Sequence, residues 1–176
     1  WLEGITDDPV QKKEYAELAD MLQWIAHKQP RTFKEALQMT CLIHFAVLNE
    51  DSASGMSPGR VGQALYPWYE QDIAAGRTTD EEVLELLEMH RVKFTCIDAF
   101  ASTGVVGGVL SSNTFNNLSM GGLNRDGEPE GNALEKLILD AGQRLQSPQP
   151  TLSVMYDDKL SDDFMTKVIE TVKTGT

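Results

Sequence analysis

Cysteine is scarce in this chain. Cys41 and Cys96 are the two cysteines among 176 residues, too few and too far apart for a disulfide framework or for the closely spaced ligands of a structural zinc site. A chain without disulfides suits a reducing compartment, so we expect a cytoplasmic location.

Positive charge and long apolar runs are also scarce. The 15 basic residues stand against 27 acidic ones, a net charge of −12 that disfavours nucleic acid as a partner. No apolar run approaches the roughly 20 residues that cross a bilayer, and no signal-peptide pattern is present, so we expect no membrane contact. The chain begins with Trp1 and ends just after a helical pattern, and we therefore expect a fragment of a longer polypeptide.

Four helices are predicted in the first half of the chain. Apolar residues at spacings of three and four follow helix-start signals, which are Asp8-Pro9 or a threonine with a glutamate three positions later. The predicted helices run over residues 9–29, from 32 to about 49, from 59 to 75 with a kink or break at Pro67, and from 79 onward.

The second of these helices is apolar on nearly every side between Cys41 and Leu48, except at His44. This pattern predicts that other elements bury the helix all round. We interpret His44 as a core histidine with a hydrogen-bond partner, and Cys41 as a buried thiol with a raised pKa and little reactivity.

The second half predicts a strand, a helix, a strand and a helix. Residues 117–120 and 152–156 are the strands, the apolar stripe from Leu134 to Leu145 is the helix between them, and the last helix follows Ser161. Two strands separated by a helix are most simply parallel and joined by a right-handed crossover. A parallel pair cannot bury both faces alone, so the pattern predicts an α/β fold class in which this chain supplies one edge of a larger sheet or barrel.

The residues by themselves predict no self-contained chemical site. The three histidines, His27, His44 and His90, lie too far apart for a metal site, and the glycines of the long loop over residues 99–113 lack the spacing of a phosphate loop. Cys96 lies near Lys93 but has no histidine at a convincing spacing to deprotonate it.

Several segments in fixed order nevertheless resemble the glycyl radical enzyme superfamily, the pyruvate formate-lyase-like group. They are Pro30-Arg31-Thr32-Phe33 with Glu35-Ala36-Leu37-Gln38, Ser57-Pro58-Gly59-Arg60 with Gln63 and Leu65-Tyr66-Pro67, Asn117 with Gly121-Gly122 and Asp126-Gly127, and Pro148-Gln149-Pro150-Thr151-Leu152-Ser153. Each segment alone is weakly specific, whereas together they cover nearly the whole chain. The resemblance therefore predicts both a fold and a type of chemistry.

The expected fold is a partial domain of a ten-stranded α/β barrel. Residues 1–98 would be the helical wrapping, and residues 99–176 the glycine-rich loop and the first strand-helix-strand unit. The resemblance also implies a glycyl radical, installed by a radical SAM activating enzyme, and a reactive cysteine. Neither the family's Cys-x-Glu motif nor its radical-glycine loop occurs in this chain, so we assign no catalytic residue and no bound cofactor to it.

Within the superfamily the chain is most similar to the arylacetate decarboxylases. The carriers are the run from Met89 to Phe94, the stretch over residues 104–115, and Pro150-Thr151-Leu152-Ser153; Ser54-Gly55 stands where the eliminating enzymes usually carry His-Ser. The implied substrate is a small aromatic carboxylate such as 4-hydroxyphenylacetate, which would lose carbon dioxide.

The same resemblance implies two substrate-binding residues. Ser54 would donate a hydrogen bond to the substrate carboxylate, and Phe115 would form an aromatic wall of the pocket. Alternatively, Ser54 caps the following helix and Phe115 belongs to the core. A homo-oligomer, with a small subunit as a further candidate partner, is expected. Another glycyl radical enzyme, such as an arylalkyl lyase, a C–N or C–O eliminating lyase or a formate acetyltransferase, remains the alternative function, as does a catalytically inert fragment.

Overall fold

The computed structural model describes residues 4–51, 57–97 and 116–175. In chain order these ranges contain α1 (Pro9–Ile25), α2 (Phe33–Asp51), α3 (Val61–Ala74), α4 (Asp80–Ile97), β1 (Asn117–Gly121), α5 (Ala133–Leu145), β2 (Thr151–Met155) and α6 (Asp162–Lys173). The predicted order of elements is confirmed wherever the structure describes the chain. None of the described helices combines the length and the apolar character that crossing a bilayer requires.

Helices α1 and α4 begin at the predicted signals. The Asp8 carboxylate accepts a hydrogen bond from the Val10 N–H (2.8 Å), and Pro9 is the first residue of α1. Thr79 and Glu82 form a full capping box, since Oγ1 of Thr79 accepts from the Glu82 N–H (3.3 Å) and Oε2 of Glu82 accepts from the Thr79 N–H (2.9 Å).

Three details of the helices differ from prediction. Helix α1 ends four residues early, at Ile25. Helix α3 continues through Pro67, because Leu65 and Tyr69 on either side of it are buried and their packing outweighs one lost backbone hydrogen bond. The Glu35 carboxylate accepts from the Arg31 N–H (2.6 Å), one residue before the predicted partner Thr32.

The two strands are parallel, as predicted. Their register runs from Asn117 opposite Thr151 to Gly121 opposite Met155. The connection before α3 adds an isolated parallel bridge between Gly59 and Leu118. Within the described ranges this pair is the whole sheet, so the structure gives a mixed, mainly helical arrangement with a small parallel sheet.

One face of the sheet packs on helices. Leu118 and Met120 belong to the main core and Leu152 and Val154 pack against it, together with buried residues of three helices: Leu65 of α3, Leu134, Ile138 and Leu139 of α5, and Phe164 and Val168 of α6. The alternate residues of both strands point to the other face, as strand geometry requires. That second face carries Asn117, Ser119, Thr151, Ser153 and Met155, of which Thr151 and Met155 are exposed.

The prediction that α2 is buried all round is wrong for the described residues. One side of the helix is buried through Leu37, Cys41, His44 and Leu48. The other side leaves Leu42, Ile43 and Val47 exposed to 42%, 53% and 36%. The reason is geometric, since α1, α3 and α4 contact α2 but leave that apolar side uncovered.

Candidate functional site

The two predicted substrate-binding residues, Ser54 and Phe115, lie outside the described residues, as does the predicted loop over residues 99–113. Their neighbours in sequence are described. Helix α2 ends three residues before Ser54, and Asn116 directly follows Phe115. The candidate site is therefore built from the described residues that flank these two positions and from the exposed face of the sheet.

The Ser-Pro-Gly-Arg segment docks against β1. The Gly59 carbonyl accepts a hydrogen bond from the Ser119 N–H (2.9 Å), and Gly59 has a φ of +77°, a conformation that favours glycine. The Arg60 guanidinium donates to the carbonyls of Gly121 (2.5 Å) and Leu123 (2.8 Å). This segment of the resemblance therefore fixes the carboxyl end of β1.

The turn that ends β1 is held from a second side by Glu135. Oε2 of Glu135 accepts a hydrogen bond from the Gly121 N–H (3.1 Å), so that Arg60 and Glu135 bind the two backbone groups of one glycine. A Cβ at Gly121 would lie 2.9 Å from the Met155 carbonyl oxygen, which excludes any larger residue there without a shift of β2. Glu135 is 0% exposed, and burial raises the pKa of its carboxyl group.

Asn116 connects α2 to β2 at the amino end of β1. Its Oδ1 lies 3.1 Å from Nε2 of His44, which assigns the proton to that nitrogen, and its carbonyl accepts from the Thr151 N–H (2.9 Å). His44 is a buried core histidine, as predicted, and its Nε2 has this partner, whereas its Nδ1 has no hydrogen-bond partner among the described residues. The residue after Phe115 is thereby anchored to two elements.

Two histidines flank Phe94 beneath this anchor. The ring centroids of His44 and His90 both lie 4.6 Å from that of Phe94. Burial lowers the pKa of His44, and burial together with the nearby His44 lowers the pKa of His90 to about 4. Both rings are therefore neutral at pH 7, and they pack as part of the core.

Arg91 holds the chain that enters β2. Its guanidinium donates to the carbonyls of Ser147 (2.6 Å) and Pro150 (3.0 Å) while the side chain is almost fully buried. Burial lowers the pKa of Arg91 to about 10, so the group keeps its positive charge at neutral pH. Arg91 belongs to the segment Met89–Phe94, one of those on which the resemblance to the arylacetate decarboxylases depends. In this structure the segment therefore helps to hold the chain before β2.

The exposed face of the sheet carries hydrogen-bonding groups in register. Oγ of Ser153 donates to Oδ1 of Asn117 (2.8 Å), and Ser119 lies opposite Ser153 in the next pair of the same face. Hydroxyl and amide groups of this kind can bind a carboxylate or a phenol. Among the residues that the structure describes, no three histidine, cysteine or acidic side chains are grouped so as to hold a metal ion.

The two cysteines offer no nucleophile in the described structure. Cys41 is buried, and burial raises the pKa of its thiol, as predicted. The side chain of Cys96 lies outside what the structure describes.

Sequence reasoning missed Glu135 and Asn116. Glu135 lies three residues after Asn132, whose Oδ1 accepts from the Glu135 N–H (2.9 Å), and such spacing is typical of an exposed helix cap. Its burial could have been suspected only from the opposing Gly62, since an ideal Cβ there would lie 2.4 Å from Cγ of Glu135. No sequence signal distinguished Asn116.

Comparison with known proteins matches this geometry to one family. The model of the family described as "Pyruvate formate lyase-like" matches residues 2–176. The chain is 59% identical over 175 residues to the 4-hydroxyphenylacetate decarboxylase glycyl radical subunit of Clostridioides difficile, covering 99% of this chain and 19% of that protein. It is 39% identical to the indoleacetate decarboxylase of Tractidigestivibacter scatoligenes, covering 99% of this chain and 20% of that protein.

A solved structure gives the same result at the level of the fold. The B12-independent glycerol dehydratase of Clostridium butyricum superimposes with a TM-score of 0.87 at 28% identity, over 98% of this chain and 22% of the dehydratase. The chain spans about a fifth of the length of the curated relatives it matches, so it corresponds to a part of them. With a family model matched from end to end, this chain belongs to the pyruvate formate lyase-like family.

Proposed function

We propose that the chain is part of a glycyl radical decarboxylase that converts an arylacetate to the methylarene and carbon dioxide, with 4-hydroxyphenylacetate giving p-cresol. The observation that carries this proposal is the 59% identity, over 99% of the chain, to a 4-hydroxyphenylacetate decarboxylase subunit. The 39% identity to an indoleacetate decarboxylase supports the broader class, arylacetate, and keeps indoleacetate as a second candidate substrate.

The proposal includes the position of the chain in a larger fold. Residues 1–98 are the helical wrapping, and residues 99–176 are the glycine-rich loop and the first strands of a ten-stranded α/β barrel. Two features support this: the strands are parallel, and among the described residues their apolar face packs on helices while Thr151 and Met155 on the opposite face are exposed. In a closed barrel that polar face would look toward the interior.

Substrate binding by Ser54 and Phe115 is the next part of the proposal. A serine hydroxyl donates to the carboxylate, and the phenyl ring packs on the arene. Asn116, the residue after Phe115 in the sequence, is bound by both His44 and Thr151. Ser153 and Asn117 are further polar groups on the sheet face.

The reaction balances without an external oxidant. An arylacetate anion and one proton give the methylarene and carbon dioxide, the carboxylate carbon leaving and a hydrogen taking its place. The glycyl radical of the parent enzyme supplies the hydrogen-atom chemistry for this exchange. We assign neither the radical glycine nor the reactive cysteine to these 176 residues.

The proposed partners follow from the resemblance to the glycyl radical enzymes. A radical SAM activating enzyme installs the radical in the cytoplasm, and the parent enzyme forms a homo-oligomer. Because the C. difficile relative is named as a glycyl radical subunit, a small second subunit belongs to the proposal.

The test uses the complete polypeptide, activated anaerobically, with 4-hydroxyphenylacetate, indoleacetate and glycerol as substrates. We expect carbon dioxide with p-cresol or methylindole, and no product from glycerol. Release of neither methylarene, or dehydration of glycerol, would contradict the decarboxylase function and favour another reaction of the superfamily. The isolated 176-residue chain should release nothing, and turnover by it would contradict the placement of the reactive groups elsewhere.

Variants of the complete polypeptide test the two site residues. We expect Ser54→Ala and Phe115→Ala to raise the KM for the arylacetate about tenfold or more, as the loss of a charge-assisted hydrogen bond or an aromatic contact would do. Thr166→Ala, which removes an exposed hydroxyl group on α6, is the control. An unchanged KM in both variants would favour the cap and core interpretations instead.

A further inference from the structure

A notch on α3 is filled by a carboxylate from α5. An ideal Cβ at Gly62 would lie 2.4 Å from Cγ of Glu135 and 3.3 Å from both Oε1 of Glu135 and Cδ1 of Ile138. No left-handed backbone conformation is recorded at Gly62, which lies inside a regular helix. Glycine is therefore required at this position for steric reasons, because the aliphatic part of the Glu135 side chain occupies the volume that a larger residue would need.

The filled notch is isolated from solvent. Glu135 is 0% exposed, and its Oε1 has no hydrogen-bond partner among the described residues. Burying a carboxyl group without full hydrogen bonding costs free energy. The hydrogen bond that Oε2 accepts from the Gly121 N–H offsets part of that cost, because an apolar residue at position 135 would leave this buried N–H without its acceptor.

The carboxyl group of Glu135 reaches the carboxyl end of β1. Its Oε2 accepts from the Gly121 N–H (3.1 Å), while Arg60 donates to the Gly121 carbonyl (2.5 Å). The first turn of α5 also contacts α3, since Nδ2 of Asn132 donates a hydrogen bond to the Gly62 carbonyl (3.4 Å). Side chains from two helical segments thus bind the two backbone groups of a single glycine.

The carboxyl end of β1 is a position where small displacements matter. The polar face with Asn117 and Ser119 ends at this turn, so a shift of the turn moves these polar groups, which would face the barrel interior under the proposed function. A displacement of about 1 Å in a reacting site can lower the rate on the order of a hundredfold.

We propose that Glu135 is a positioning residue: its side chain fits the space left by Gly62, and its carboxyl group binds the Gly121 N–H while Arg60 binds the Gly121 carbonyl. Together these contacts set the position of β1 and, with it, of the Asn117 and Ser119 side chains on the polar face of the sheet. The inference rests on the proposed function and deepens it. Glu135 does not touch the substrate, and its role is to act through the turn at Gly121 and Gly122.

The experiment compares variants of the complete, anaerobically activated polypeptide. The KM and kcat for 4-hydroxyphenylacetate are measured per glycyl radical, with the radicals counted by electron paramagnetic resonance. We expect Glu135→Ala to lower kcat/KM per radical at least tenfold. Glu135→Gln, whose amide oxygen can still accept from the Gly121 N–H, should stay within about threefold of wild type. Glu128→Gln, an exposed residue on the loop between β1 and α5, is the matched control.

The notch is tested by a double-mutant cycle. Gly62→Ala should show a loss similar to that of Glu135→Ala, because its methyl group would displace the Glu135 stem. Adding Gly62→Ala to Glu135→Ala should cause no further loss, since the two changes remove the same contact.

A purely structural role predicts a different result. It would lower the melting temperature and the fraction of protein that carries a radical, while kcat and KM per radical stay unchanged; that outcome in Glu135→Ala would overturn the proposal. If Glu135→Ala does not fold, the kcat and KM per radical of Gly62→Ala are used in its place, and unchanged values in that variant would overturn the proposal. A loss in Glu135→Gln as large as in Glu135→Ala would overturn the assigned acceptor role.

Hydrogen exchange separates this proposal from the proposed function. If the wild-type polypeptide decarboxylates no arylacetate, the function fails, yet the hold on the turn can still be measured. The peptide over residues 117–127 should exchange its amide hydrogens at least tenfold faster in Glu135→Ala than in wild type. Unchanged exchange would overturn the role of Glu135 whatever the reaction.

Discussion

Helices α5 and α2 have opposite relations between sequence and burial. Helix α5 carries a clean apolar stripe, and its stripe residues Leu134, Ile138 and Ala141 are buried, while Leu145 at the end of the helix is exposed. Helix α2 is apolar on nearly all sides, yet Leu42 and Ile43 on one side are exposed. An apolar stripe therefore predicts which side of a helix packs within the chain. A helix that is apolar on all sides is predicted to be buried on all sides, and the described residues do not bury α2 in that way.

The largest expected effect comes from the stripe of α5. Leu139→Ala removes a side chain that is 1% exposed, and a buried leucine truncated to alanine costs about 2 to 5 kcal/mol. Ile43→Ala on the exposed side of α2 should cost less than about 1 kcal/mol. Urea unfolding of the isolated chain measures both, and equal losses would remove the distinction between the two helices.

The next effect concerns α4, which contacts both helices. Burial, with a smaller contribution from His44, lowers the pKa of His90 from 6.5 to about 4. Between these values the unfolded chain binds the proton and the folded chain does not, so the free energy of unfolding falls as the pH drops from 6.5 toward 4. The expected loss from His90 is roughly 3 kcal/mol at 1.36 kcal/mol per pKa unit.

His90→Gln tests this pH dependence. The difference in unfolding free energy between wild type and this variant should shrink or reverse between pH 7 and pH 4, because the variant has no proton to gain at that position. His27→Gln, at an exposed position, should leave the wild-type curve unchanged. Parallel curves for wild type and His90→Gln would contradict the depressed pKa.

A smaller effect is expected at the helix starts. Asn132→Ala removes the acceptor for the Glu135 N–H at α5, and Thr32→Ala removes the acceptor for the Glu35 N–H at α2 (3.2 Å). Each should cost about 1 kcal/mol, since capping depends on the local hydrogen bond and not on how the helix is covered. Thermal unfolding measures the stability loss of both variants. A loss in Asn132→Ala but not in Thr32→Ala would show that the packing of the helix determines how much a cap contributes to stability.

The smallest expected effect lies on the uncovered side of α2. Ile43→Ser should change the unfolding free energy of the isolated chain by no more than about 0.5 kcal/mol. In the complete polypeptide the same change should lower the melting temperature, if the remainder of the protein covers this side. Equal small effects in both proteins would mean that the apolar side of α2 stays exposed.

Much of the fold was predictable because the signals are local. Capping by Asp8 and by Thr79 depends on residues within three positions, and the strand bounds were correct to within one residue. The parallel pairing followed from the helix between the strands. The uncovered side of α2 was not predictable, because periodicity reports the amount of apolar surface and not what covers it.

The candidate site was predictable only in outline. The Ser-Pro-Gly-Arg segment was recognised from the resemblance, but its contact with the end of β1 joins residues 61 positions apart. Ser54 and Phe115 stay predictions. Glu135 resembled an ordinary helix cap because its sequence neighbours cannot reveal that Gly62 of another helix leaves room for its stem.

The sequence by itself determined the order of the helices and strands, where most of them begin, the parallel pairing and the membership of the family, because caps, periodicity and motifs depend on neighbouring residues. Only the tertiary structure decided that Arg60 and Glu135 hold the two sides of Gly121, and that Asn116 is bound between His44 and Thr151. The physical reason is that burial and hydrogen bonding between distant segments depend on how the elements pack, which no local pattern encodes.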